Sequence, residues 1–301
     1  MTHEVVCLST DDRDRWLAER RKGVTSSVAA QLLGCQRFGS LLGSYLYLRG
    51  ARDDEPLTDW MEWGRIKQEP VIKYIRTRTG YAITESEQLI RSTTEPWMLA
   101  TLDAWVRDPD DGTMFLPCEI KTSSSPSQLA AWQLGPPPDV AAQVQWQLAI
   151  TGARRALAVA ELMGGPPVHA WVDRDETTIG ELIDRGREFW GRVQRGDPPP
   201  PDGSDDAADA LSQMHPTAKG TRVDLDIRAV EMTEELAAIE TSIRDFETRK
   251  AVLRQTIRAA MGDAEIGQLP GDAGKWRVIT AERKPFVQVS GVGLEIVRDM
   301  L

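Results

Sequence analysis

The chain switches between two apolar periods, and the switch points outline its elements. Apolar residues at three- and four-residue steps predict helices, whereas alternation or short apolar runs predict strands. The stretch "DRDRWLAERRKGVTSSVAAQLLGC" predicts a basic helix, a turn at Gly23 and a second helix opening at Ser26 or Ser27. A further helix is expected around Leu41 to Arg49, and another over "DWMEWGRIKQEPVIKYIRTRTGY". In that last segment Pro70 is expected to kink the helix or to start a new one, and Gly80 to end it. "QLIRSTTEPWMLATLDAWVRDPDDGTMFLPCEIKT" predicts strands around a turn at Pro109 to Gly112. "DVAAQVQWQLAITGARRALAVAELMGG" follows as a helix and a buried strand, "VHAWVDRD" as another strand, and "TTIGELIDRGREFWGRVQRG" as a helix. This order predicts an α/β (α+β) fold, a mixed central sheet flanked by helices.

The pattern changes at "DPPPPDGSDDAADA", whose proline and aspartate content predicts a linker. The expected division is a domain over 1–197, a linker over 198–210, and a C-terminal helical appendage with terminal strands over 211–301. In that appendage Leu236, Ile239, Ile243, Phe246, Leu253, Ile257 and Ala260 fall on a heptad seam interrupted by Lys250. Such a seam docks on its own domain or meets another chain. "GKWRVITAERKPFVQVS" predicts one or two strands near the end.

Composition narrows the chemistry. With 301 residues, 41% hydrophobic and 27% charged, the chain is long enough for a proper core plus an appendage. It has no run of eighteen apolar residues and no basic, apolar start, so neither a membrane span nor a signal peptide is expected, and a cytoplasmic location is. Cys7, Cys35 and Cys118 are far apart and lack C-x-x-C spacing, and His3, His169 and His215 are scattered. A metal would therefore be held mainly by oxygen, which favours Mg²⁺ or Mn²⁺. A net charge of −10 looks unfavourable for a nucleic-acid partner, although carboxylates gathered at a metal site would add to it. No Walker motif points to ATP.

The candidate site starts from "LPCEIKTSSS", residues 116–125. Residues two apart on a strand share a face, so Glu119 and Lys121 lie side by side. If the preceding turn centres near Asp111–Gly112, Asp103 falls opposite Glu119 or within a residue of it. Two neighbouring carboxylates repel unless a proton or a cation lies between them. A divalent metal resolves that conflict, and Lys121 could hold or help deprotonate an attacking water. A structural ion-pair network is the alternative. Glu69, in "WGRIKQEP" on the preceding helix, would supply a third oxygen. Arg13, Arg15, Arg20, Arg21 and Lys22 form a basic run that tracks phosphates or simply faces solvent.

Six blocks, "RRKGVTSSVAAQLLG", "MEWGRIKQEPVIKYI", "PWMLATLDAWV", "CEIKTSSS", "AAQVQWQLAITG" and "GREFWGRVQRGDPPP", resemble in order and spacing the YqaJ-type viral recombinase family. This is the lambda-exonuclease branch of the PD-(D/E)xK nucleases, and the resemblance covers roughly residues 13–200. It implies Glu69, Asp103 and Glu119 as metal-ligand carboxylates, the Ile120 carbonyl as a further ligand, and Lys121 as the residue positioning the water. It implies a glutamine near the site, Gln143 in preference to Gln145, which points to another face. Arg20 and Ser27 match phosphate-contacting residues, with Arg21 and Lys22 beside them. The implied activity is an Mg²⁺- or Mn²⁺-dependent exonuclease acting on ends of double-stranded DNA, 5′ to 3′. It would leave 3′ single strands for an annealing protein in a phage-infected or prophage-bearing host, and the resemblance is compatible with assembly as a homo-oligomeric ring. An endonuclease or repair nuclease of the same chemistry, or a non-catalytic DNA-binding or assembly module, are the alternatives. The family's usual Pro before the catalytic Asp is Leu102 here, and Val28 stands where an acid is common.

Overall fold

The structure, a computed structural model, describes residues 3–8, 13–53, 58–216, 220, 222–269, 275–281, 284–291 and 294–295. It divides into two compact units, Met1–Ala218 and Lys219–Leu301.

The first unit is a mixed sheet flanked by helices. Its strands are β1 (His3–Leu8), β2 (Val24–Thr25), β3 (Ile83–Ser92), β4 (Met98–Arg107), β5 (Phe115–Ser123), β6 (Arg155–Leu162) and β7 (Val168–Asp173). They run in the order β1-β3-β4-β5-β6-β7, with the short β2 parallel to the start of β4. β3, β4 and β5 form an antiparallel meander, while β5 and β6 are parallel. A parallel pair needs a crossover, and α6 (Pro138–Thr151) supplies it, preceded by the short α5 (Pro126–Ala131). β6 is buried along nearly all its length, as a strand covered on both faces must be.

The remaining helices of this unit are α1 (Arg13–Arg20), α2 (Ala29–Leu33), α3 (Leu41–Leu48), α4 (Asp59–Thr79), α7 (Glu176–Arg195) and α8 (Asp205–Met214). A 3₁₀ turn over Ser26–Val28 leads into α2. Pro70 lies inside α4, which runs on as one helix, and Gly80 ends it in the left-handed conformation. Trp146 of α6 is fully buried and its indole N–H donates to the Leu99 carbonyl at 2.9 Å, tying the crossover helix to β4. The turn after α1 lies so close to β4 that a Cβ on Gly23 would sit 2.3 Å from the Trp97 carbonyl oxygen. Only glycine allows that approach, which sets where α1 ends over the sheet.

The segment expected as a linker over 198–210 is partly structured. Ser204 caps α8, whose Ala207 and Ala210 are buried, and Asp206 accepts hydrogen bonds from Ser40 and Arg52, each at 2.6 Å. Proline and aspartate look like a linker in composition, but the short alanine side chains of α8 let it lie flat against the first unit. The division between units therefore falls at 218/219, later than the composition suggests. The second unit holds α9 (Ile227–Met261) and the strands β8 (Ile266–Gln268), β9 (Lys275–Ala281), β10 (Lys284–Gly291) and β11 (Leu294–Glu295), paired in the order β11-β10-β9-β8.

Candidate active site

The β4–β5 ladder runs from Arg107 opposite Phe115 to Ala104 opposite Cys118. The next two residues in that register are Asp103 and Glu119. Here Asp103 turns its carboxylate across the gap and accepts the Ile120 N–H at 2.8 Å. Glu119 is only 2% exposed, and its two oxygens are engaged from the crossover helix. Gln143 Nε2 donates to one at 2.7 Å and Gln147 Nε2 to the other at 2.6 Å. Lys121 Nζ lies 2.6 Å from the same Glu119 oxygen that Gln143 reaches, and donates to Gln143 Oε1 at 2.8 Å. Strand parity places Glu119 and Lys121 on one face, and the four-residue step of α6 places Gln143 and Gln147 above them.

Charge is poorly balanced in this group. Burial, followed by the negative charge of Glu119, pushes the Asp103 carboxyl up to about 8, against the pull of Lys121 and the Ile120 N–H. Burial works against the Lys121 charge, but Glu119 and Asp103 outweigh it and raise its pKa, so Lys121 is an ammonium. One cation thus faces two carboxyl groups, of which Asp103 holds its proton into the neutral range.

These groups form the floor of a cavity of about 230 Å³ that Arg20 and Ser27 also line. It opens into a wider cleft of about 800 Å³ walled by α4 residues that include Trp60, Arg65 and Gln68. The Arg20 guanidinium stacks 4.5 Å from the Trp16 ring, and Ser27 Oγ bonds Thr25 Oγ1 at 2.8 Å. Arg21 instead lies over the Tyr47 ring at 4.8 Å and Lys22 pairs with Glu19 at 2.6 Å; neither is among the cavity's lining residues.

The structure does not bring Glu69 into this group. On α4 a Cβ added at Gly64 would meet Thr122 Oγ1 at 3.2 Å, and one turn later Gln68 Nε2 lies 3.4 Å from Asp103 Oδ1. Glu69 is rotated about 100° from Gln68 and is exposed. Gln145 serves elsewhere: it donates to the Asp173 carbonyl and accepts from the Asp175 N–H. Three residues outside the sequence-based expectation belong here. Gln147 and Gln68 each lie one turn from a residue at the site, a spacing legible in retrospect. Glu87 sits on a β-bulge of β3 with φ 42°, lines the cleft opposite Arg65 and adds to the push on Asp103. No sequence signal marks that bulge. Among the described residues no three His, Cys, Asp or Glu side chains converge closely enough to hold a metal between them, and no helix is long and apolar enough to cross a membrane.

The YqaJ-like viral recombinase domain matches residues 15–154, which span every group at this site. The uncharacterized protein YqaJ of Bacillus subtilis (strain 168) is 25% identical over 277 residues, covering 90% of this chain and 85% of that protein. Among solved structures, the alkaline exonuclease LHK-Exo of Laribacter hongkongensis superposes with a TM-score of 0.51 at 21% identity, over 61% of this chain and 94% of that one. Its complex with dAMP also gives 0.51, at 19% identity, over 67% of this chain and 98% of that one. Residues 15–154 of the first compact unit thus match the YqaJ-like viral recombinase domain, and the unit shares its mixed α/β fold with LHK-Exo.

Proposed function

We propose that the chain is a metal-dependent deoxyribonuclease that digests linear double-stranded DNA from its ends, in the 5′ to 3′ direction. The observation that carries this reading is the imbalance at the cleft floor, where the half-buried Asp103 and the buried Glu119 carboxyl groups share the single cation Lys121. Such a donor set fits a hard divalent ion, Mg²⁺ or Mn²⁺, held by Asp103, Glu119 and the Ile120 carbonyl. Glu69 reaches the ion only if its helix turns, and Gln68 is better placed to orient a bound water. When bound, the ion lowers the pKa of water and stabilises charge on a phosphodiester.

The protein's own groups supply the rest. Lys121, braced by Glu119 and Gln143, points an ammonium N–H at the attacking water and orients it. Gln143 and Gln147 keep the Glu119 carboxylate in one rotamer, which preserves the geometry between turnovers. Arg20, with its plane fixed on Trp16, and Ser27 offer donors to a strand phosphate at the cavity wall. The likeness to LHK-Exo, an alkaline exonuclease, supports an end-directed activity. An annealing protein would take the resulting 3′ strand.

End-labelled linear duplex incubated with Mg²⁺ tests the proposal. Stepwise loss of the 5′ label as mononucleotide, abolished by chelator and absent on covalently closed circles, is the expected result. Cleavage of closed circles would make the chain an endonuclease, and full activity in chelator would remove the metal from the mechanism.

A further inference from the structure

We infer that α9 pairs antiparallel with α9 of a second copy of this chain. The helix is 35 residues long and none of its residues is buried. Its apolar residues are displayed in full, with Leu236, Ile239, Ile243 and Leu253 about half exposed and Phe246 at 71%. A contiguous apolar surface of this length marks an interaction site. The main stripe is narrow: Leu236, Ile239, Ile243, Phe246, Leu253 and Ile257 keep to heptad positions a and d, with Ile227, Val230 and Val252 the larger exposed apolar residues beside it. A helix that lies on a globular core carries a wider band, so this seam suits a single partner helix.

Charge selects the partner and the direction. Residues 227–243 hold one arginine and four glutamates, net −3, whereas residues 244–261 hold four arginines and a lysine against one aspartate and one glutamate, net +3. A helix with this polarity is complementary to itself only when reversed. Antiparallel pairing about a point between Arg244 and Asp245 also puts the seam in register, with Leu236 facing Leu253, Ile243 facing Phe246 and Ile239 facing Lys250. The odd residue of the seam then packs its methylenes on Ile239 while its ammonium reaches the flanking Glu235 and Glu240. Parallel pairing would instead set Lys250 against Lys250, Glu235 against Glu240 and Arg249 against Arg254. The antiparallel arrangement has one unfavourable neighbour, Glu240 with Glu247, and it is outnumbered. A pairing with two-fold symmetry gives an isologous dimer, whatever assembly the first unit forms.

Sedimentation velocity of the full chain reads this directly. Phe246→Asp should halve the particle mass, and because α9 contributes nothing to a packed core, circular dichroism of the first unit's sheet should persist. Glu235→Lys with Glu240→Lys should weaken association by about tenfold or more, and adding Arg249→Glu with Arg254→Glu should restore it. An unchanged mass for Phe246→Asp, or a wild-type chain that sediments as a monomer, overturns the inference. Dissociation by Phe246→Asp without any response to the paired charge reversals overturns the antiparallel direction.

Discussion

Asp103 and Asp108 lie on one strand and just past its end, five residues apart, and the fold treats them in opposite ways. Asp108, whose side chain is fully buried, accepts the Asp110 N–H at 3.0 Å, both Arg154 Nε and Nη2 at 2.9 Å, and Arg155 Nη2 at 2.9 Å. Burial alone would push its carboxyl up, but the Asp110 N–H and the two guanidinia hold it at about 2. Asp103 has one backbone N–H, a long contact from Gln68 and a lysine already committed to Glu119, and its carboxyl rises to about 8. The saturated acid stabilises the hairpin end; the unsaturated one is left wanting a cation. Buried charge left incompletely paired is expensive, and its place in the wall of a cleft makes Asp103 a candidate to meet a cation.

The largest expected effects separate the two ends by chemistry. Lys121→Ala and Asp103→Asn should each lower single-turnover cleavage by about 10²–10³-fold or more, with Lys121→Ala leaving duplex affinity nearly intact in a filter-binding assay. Normal cleavage by Lys121→Ala would reduce the lysine to a structural counter-ion and dissolve the contrast. Next in size, Asp108→Ala leaves the mostly buried Arg155 with only the exposed Asp110 as its carboxylate partner and should cost about 3 kcal/mol in urea unfolding. The folded fraction should still cleave within about twofold of wild type; a parallel loss of cleavage would mean that the two ends are one functional unit.

Acid sharpens the comparison at a smaller scale. The Asp108 carboxyl is depressed in the folded state, so its stabilisation is complete above the ordinary carboxylate range and is lost as pH falls through about 2. That contribution is about 2 kcal/mol, and Asp108→Asn should flatten the acid limb of a stability–pH profile by that amount. The smallest effect runs in the other direction. Asp103→Asn removes a carboxyl that ionises only at a cost and should raise the melting temperature of metal-free protein by about 2–4 °C above pH 8, while abolishing any further rise on adding Mn²⁺. A lower melting point for that variant would show that Asp103 is adequately paired after all.

Much of this was readable from local rules. The alternation in "CEIK" put Glu119 and Lys121 on one face, and the turn at residues 109–112 brought Asp103 within reach of Glu119, as the register shows. Gln143 and Gln145, separated by two helix positions, had to point apart, and they do. The helix stop expected at Gly80 coincides with a left-handed cap. Other features depend on contacts distant in sequence. Which residue of α4 meets the acids is settled by how closely Gly64 lets the helix approach Thr122, and that rotation presents Gln68 in place of Glu69. Glu87 enters the cleft through a bulge, and α8 abandons a linker-like composition to pack on α3.

Local period and parity, properties of a few consecutive residues, marked most of the longer helices and strands but not β1 or α8, together with the face shared by Glu119 and Lys121 and the heptad seam of α9. The tertiary structure decided which acids are short of cations and which are saturated. Burial and the approach of Arg154, Arg155, Gln143 and Gln147 are long-range events, and the charge state of a carboxylate depends on them far more than on its neighbours in the chain.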